Sequence, residues 1–313
     1  ATLQHRYSFN GDATDSVGGA NATTNGAGAS FTSTTVELPG GAAPGDGHVV
    51  LPAGAIGITT YTEATFYGWF RFDAVAGDFQ KLFSFGAHSA SPSWAGNRYI
   101  LGGVRQGGDG ICDASISWAP DGDADPWSEE SNIGGPTLSA SNPLMVVTID
   151  DTDITLFVDG ERIGSTPMVR PGNTNSLQNV ATDVAYLGRS VYADALFGGG
   201  IDEFRIYSTA HSTLEAVINS RLGPDDASGN PGNLTGQAVL GDDTCVVNGS
   251  KQYSYQISYD VVGDIDLTSD PDLVWSSSDT NIATIGTDGV AYFAATGAVT
   301  ITGTYDGQAR DVA

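Results

Sequence analysis

Apolar and polar residues alternate with a period of two along most of this chain. In Gly198-Gly-Gly-Ile-Asp-Glu-Phe-Arg-Ile-Tyr207, Phe204 and Ile206 point one way, while Glu203, Arg205 and Tyr207 point the other. That pattern predicts a strand with one buried face. Met145-Val-Val-Thr-Ile149 and Ile154-Thr-Leu-Phe-Val158 predict two more strands around Asp150-Asp-Thr-Asp153, and the second runs into Asp159-Gly160, a strong two-residue hairpin signal. Thr65-Phe-Tyr-Gly-Trp-Phe-Arg-Phe72 is apolar or aromatic at nearly every position, which suits a central strand buried on both faces. A helix is predicted directly after Tyr207. Ser212 and Glu215 form a capping box, Leu214, Val217, Ile218 and Leu222 follow, and Gly223 stands where a helix stops.

The pattern then breaks. Residues 223–236 are Pro, Gly and polar residues without a period, the mark of a linker. Alternation resumes over 237–313, with Tyr253, Tyr255, Ile257 and Tyr259, then Val290 and Tyr292, then Val299 and Ile301. Composition agrees with strands: 42 Gly and few helix formers favour an all-β protein with many tight turns. At 313 residues and 40% hydrophobic content there is ample material for two cores.

Charge narrows the partners. The net charge is −25, with only two lysines, Lys81 and Lys251, so nucleic acid and anionic membrane surfaces are poor partners. No run of about 18 apolar residues occurs, so no membrane insertion is expected. The sequence begins at Ala1 without a charged-then-apolar leader, as a mature or trimmed product would, which gives a secreted, extracellular or cell-surface expectation. Sequons stand at Asn21, Asn233 and Asn248. The two cysteines, Cys112 and Cys245, have no metal-binding spacing; they form one disulfide between the two halves, link separate subunits, or stay reduced.

The order of these segments resembles a laminin-G-like, concanavalin A-type jelly roll over residues 1–222. The resemblance rests on Leu3-Gln-His-Arg-Tyr-Ser-Phe9, the loop Asn10 to Gly19, Thr65 to Phe72, Ile154 to Ile163, and the last strand with its short helix. It implies an all-β sandwich in which the first and last strands are neighbours. The segment Val274-Trp-Ser-Ser-Ser-Asp-Thr-Asn-Ile-Ala-Thr-Ile285 with Gly289-Val and Gly297-Ala-Val-Thr-Ile301 resembles a bacterial Ig-like domain of the second group, here 237–313. That family finishes with a further strand, and this chain stops at Asp311-Val-Ala313. Either the strand is cut off, or it is short and the exposed edge is completed by a neighbouring molecule.

Three candidate sites follow. If the first and last strands are neighbours, Asp12 and Asp15 approach Asp202 and Glu203, an oxygen-rich set of the kind calcium requires; the bland alternative is that Asp12 and Asp15 only build turns. Asp121-Gly-Asp-Ala-Asp-Pro-Trp-Ser-Glu-Glu130 opens with a calcium-loop Asp-x-Asp-x-Asp spacing, but Pro126 and Asn132 break the EF-hand pattern and favour a solvated acidic loop. Trp94, Arg98, Tyr99 and Trp127 fall in one stretch with Trp118, Arg105 and Gln106, a set able to stack on sugar rings and bond hydroxyls. Against this, Ile116 and Trp118 alternate as core residues do, and Trp69 and Trp275 are expected in the core.

Catalysis is not expected. The Glu-x-Asp-x-(x)-Glu run of glucan-cutting concanavalin A-type enzymes is missing, and so are a metal-protease histidine spacing and a nucleophile elbow. The sequence therefore points to non-catalytic recognition or adhesion, with carbohydrate or a surface glycan as partner. The competing expectation is self-association as a subunit of an extracellular filament, layer or matrix.

Overall fold

The computed structural model describes residues 2–42, 45–74, 77–89, 95–120, 123, 125–138, 143–170 and 173–312. It is built almost wholly of strands and divides into two compact units, Ala1–Ser212 with Gly223–Ala227, and Thr213–Leu222 with Ser228–Ala313.

Two large antiparallel sheets form the first unit. One runs in the order Glu161–Pro167, Asp153–Val158, Leu144–Ile149, Ala64–Ala74, Ala195–Tyr207, Val36–Ala42, Ser30–Phe31, with Leu3–Tyr7 also paired to Ala195–Tyr207. The other runs Ser131–Thr137, Ile111–Ser117, Gly96–Gln106, Gln80–His88, Val184–Leu187, His48–Val50, Thr23–Asn25. First and last strands are thus neighbours, with Tyr7 opposite Phe204. The aromatic segment 65–72 is a central strand flanked on both sides. Asp159 and Gly160 make the expected tight turn, both with positive φ, +53° and +83°. Inner faces of the two sheets meet in one core, where the Phe66 and Phe83 rings stack 4.9 Å apart and Phe204 lies 5.5 Å from Phe83.

The strand Ala195–Tyr207 carries one irregularity that matters. Ile201 pairs with Phe70 and Glu203 with Trp69, so Asp202 is an extra residue, a bulge. Without it a period of two would send Ile201 and Phe204 to opposite faces; with it both enter the core. The opposite face holds Glu203 and Arg205, both completely buried, and Arg205 lies 4.5 Å over the Trp69 ring. Trp69 is buried as expected, at 6% exposure.

The second unit contains three small sheets: Leu234–Leu240, Ser254–Tyr259 and Gly263–Asp266; Gly249–Gln252, Val290–Phe293 and Ala283–Ile285; Val274–Ser277, Ile301–Tyr305 and Gln308–Val312. Tyr253, Tyr255, Ile257, Ile265 and Ile301 form its core, with Trp275 half-buried against it. Three expectations change here. The helix Thr213–Leu222 groups with this unit, placing Ile218 in its core. Val290 and Tyr292 face outward, because their strand buries the alternate residues Ala291 and Phe293 instead. A strand not read from the sequence occurs near the C-terminus: Gln308–Val312 pairs with Ile301–Tyr305 around Asp306-Gly307. Its polar composition hides it from a period-two search.

Candidate functional site

The outer face of the second large sheet is polar where most outer faces meet water, yet it is covered. Along Ile111–Ser117 the residues Cys112, Ala114 and Ile116 enter the core, so Asp113, Ser115 and Ser117 must point outward. All three are nonetheless buried. The short turn Pro126–Glu129 closes over them, held by Ser117 Oγ donating to the Pro126 carbonyl at 3.0 Å and Asn175 Nδ2 donating to the Glu129 carbonyl at 3.1 Å.

Beside this lid lies a cleft of about 410 Å³, lined by Phe79, Lys81, Leu101, Gln106, Trp127, Glu130, Tyr192 and Asp194. That volume suits a small organic ligand. Lys81 crosses from the neighbouring strand but one to reach Asp113, with Nζ at 3.2 and 3.3 Å from the two carboxylate oxygens and 3.2 Å from Gln106 Oε1. Gly103 is the residue between them on the intervening strand, and a Cβ there would collide with the Asp113 carboxylate. Tyr99, completely buried, donates its hydroxyl to Glu130 Oε1 at 2.6 Å and accepts one from Tyr192 at 2.9 Å.

Burial is the main cause that pushes the Glu130 carboxyl above its ordinary range; the Asp113 charge adds to it, while the Tyr99 hydroxyl and Lys81 oppose. Asp194 is raised for the same reason, against a Ser190 hydrogen bond and Lys81. At the rim, Trp127 exposes 55% of its surface and Phe79 44%. Exposed rings next to half-buried, hydrogen-bonding carboxyls make a surface that can stack on an apolar ring face and bind its polar edge.

Of the aromatic residues proposed from sequence, the cleft takes Trp127 as a wall and Tyr99 as the support beneath Glu130. Arg98 is exposed, has φ +41°, and is not part of the lining; Trp94 lies outside the described residues, as does Asp121 of the acidic run. Trp118, expected in the core, is 36% exposed because the strand ends at Ser117. Sequence reasoning missed Lys81, Asp113, Tyr192 and Asp194, and it placed Glu130 only in an acidic loop. One signal was available: Lys81 is one of only two lysines, and it sits in a predominantly apolar run.

Of the acids proposed for calcium, Asp12, Asp15 and Glu203 are already engaged by hydrogen bonds. Asp12 is exposed and caps a turn through the Thr14 N–H at 2.8 Å. Asp15 accepts the backbone N–H groups of Arg6, Val17, Gly18 and Ala20 at 2.9–3.1 Å and meets His5 Nδ1 at 2.7 Å. Glu203 accepts hydrogen bonds from Arg6 Nε and Nη2 at 2.9 Å, from the Asp225 N–H at 3.0 Å, and from Arg205 Nε. Burial raises both acids, but these donors outweigh it and hold them below the usual range. The bulged Asp202 goes the other way, to about 6, through burial and the charges of Asp225 and Glu203. The four residues do not fit a calcium ion, since no open set of oxygens converges; among the described residues no cluster of three or more metal-binding side chains exists. Cys112 is a buried thiol of the first unit and Cys245 a half-exposed thiol of the second.

A family model described as the concanavalin A-like lectin/glucanases superfamily matches residues 43–216. No curated protein matches the chain. Among solved structures, the CBM40 of a Ruminococcus gnavus IT-sialidase bound to alpha2,3 sialyllactose is 16% identical with a TM-score of 0.46, covering 59% of this chain and 94% of its own. Domain 4 of an extracellular GH43 arabinanase from Geobacillus stearothermophilus, in complex with arabinotriose, is 18% identical with a TM-score of 0.48, covering 69% and 97%. A Trypanosoma rangeli sialidase is 12% identical with a TM-score of 0.47; 69% of this chain corresponds to 32% of that one.

Proposed function

The chain belongs to the concanavalin A-like lectin/glucanases superfamily, and from that premise we propose that its first unit is a non-catalytic carbohydrate-recognition domain of a secreted or cell-surface protein, binding sugar in the Trp127 cleft. One observation carries the reading: an exposed Trp127 stands beside Glu130, Asp194 and Gln106, whose polar groups face the same cavity. A pyranose has apolar C–H faces and a hydroxyl edge, so this pairing matches both parts of one ring. The β-rich second unit serves as an Ig-like spacer.

Binding of a glycan array by the purified protein, and its loss in Trp127→Ala with an unchanged melting temperature, is the expected outcome. Retained binding in that variant removes the cleft from the account. Release of reducing ends from any bound glycan would make the domain an enzyme instead.

A second reading has its own support. Val246, Val261, Val274 and Leu234 of the second unit expose 76, 65, 62 and 53% of their surfaces, apolar side chains that self-association into a filament or layer would cover. Sedimentation of the native protein tests it: a single monomeric species at micromolar concentration excludes assembly by this chain alone.

A further inference from the structure

The charges lining the cleft are lopsided. Its only cationic wall residue among those described, Lys81, is committed to Asp113 and Gln106 at 3.2–3.3 Å. Arg105, nearest along the chain, is held by Asp78 at 3.1 Å. That leaves Glu130 and Asp194 as the acidic walls with no cation of their own facing the ligand. Resting on the carbohydrate reading above, we propose that the cleft selects uncharged sugars and excludes those bearing carboxylates, with Glu130 and Asp194 setting the choice.

The physical reasons are two. A sugar carboxylate needs a free guanidinium, ammonium or group of N–H donors to replace its water. The described lining offers no free cation, only the neutral N–H donors of Gln106 and Trp127, and would place the ligand's negative charge near two half-buried carboxyls. Neutral hydroxyls meet the opposite situation. Tyr99 and Ser115 each take one hydrogen bond of the Glu130 carboxyl and Ser190 one of Asp194, and the remaining lone pairs of both acids accept from ligand hydroxyls. Both acids are already costly to ionise where they stand, so a further anion adds to an existing penalty while a hydroxyl donor relieves it. The whole-chain charge of −25 opposes anionic glycans during approach as well.

The test is calorimetric titration with matched pairs that differ by a carboxylate: lactose against 3′-sialyllactose, and neutral galactan oligosaccharides against oligogalacturonates. The wild type should bind a neutral member at least about a hundredfold more tightly than its acidic counterpart. The double variant Glu130→Gln with Asp194→Asn keeps acceptors at both positions and should narrow that ratio about tenfold or more. Equal or tighter binding of an acidic sugar, still lost in Trp127→Ala, overturns this inference and leaves the recognition reading intact. An undiminished ratio in a double variant that melts cooperatively overturns the roles of Glu130 and Asp194. Absence of any glycan binding, or binding indifferent to Trp127→Ala, overturns both proposals.

Discussion

Lys81 and Asp113 lie on strands separated by a third, yet Nζ and Oδ1 are 3.2 Å apart because the residue between them is Gly103. Both side chains are almost fully buried, at 3% and 1% exposure. Removing one member leaves a desolvated charge, which costs more than the pair contributes. Lys81→Met should therefore lose about 3–5 kcal/mol of unfolding free energy in urea titrations. Lys81→Met combined with Asp113→Leu should recover most of it. A loss below about 1 kcal/mol for the single variant would mean that water reaches Asp113.

Asp202 titrates at about 6 instead of its ordinary 3.8. Its proton is held more tightly in the folded chain, so stability is greatest below the unfolded value and falls as pH rises through about 6. Asp202 is only half-buried, and after allowance for solvent screening the cost at pH 7 is about 1 kcal/mol. Asp202→Asn should raise the melting temperature at pH 7 and leave it unchanged below pH 4. A lower melting temperature at neutral pH would show that the carboxylate is needed.

Asp15 organises the loop after the first strand by accepting four backbone N–H groups and His5. Asp15→Ala strands several of these donors and should cost at least about 3 kcal/mol. Excess chelator should leave the melting temperature of the wild type unchanged. A clear drop on chelation would restore calcium to this loop.

Burial, reinforced by the Asp113 charge, pushes the Cys112 thiol up to about 12. Native protein at pH 8 should therefore react with a thiol reagent at one site, Cys245, with the second thiol appearing only on denaturation. No reactive thiol before reduction would indicate a disulfide.

The sequence by itself determined whatever depends on neighbours along the chain. Period-two alternation placed Phe204 and Ile206 in the core, the Asp159-Gly160 pair set a hairpin, and the aromatic run 65–72 became a central strand. It also nominated Trp127 and Tyr99. Tertiary structure decided the rest, because a carboxylate's chemistry depends on donors from distant parts of the chain. Arg6 reaches Glu203 across 197 positions and turns a possible metal ligand into an ion-pair partner. Lys81 reaches Asp113 across 32 positions only where a glycine lets two side chains pass over one strand. Alternation along a strand says which face a residue takes; what covers that face is set by chain segments that no local pattern encodes.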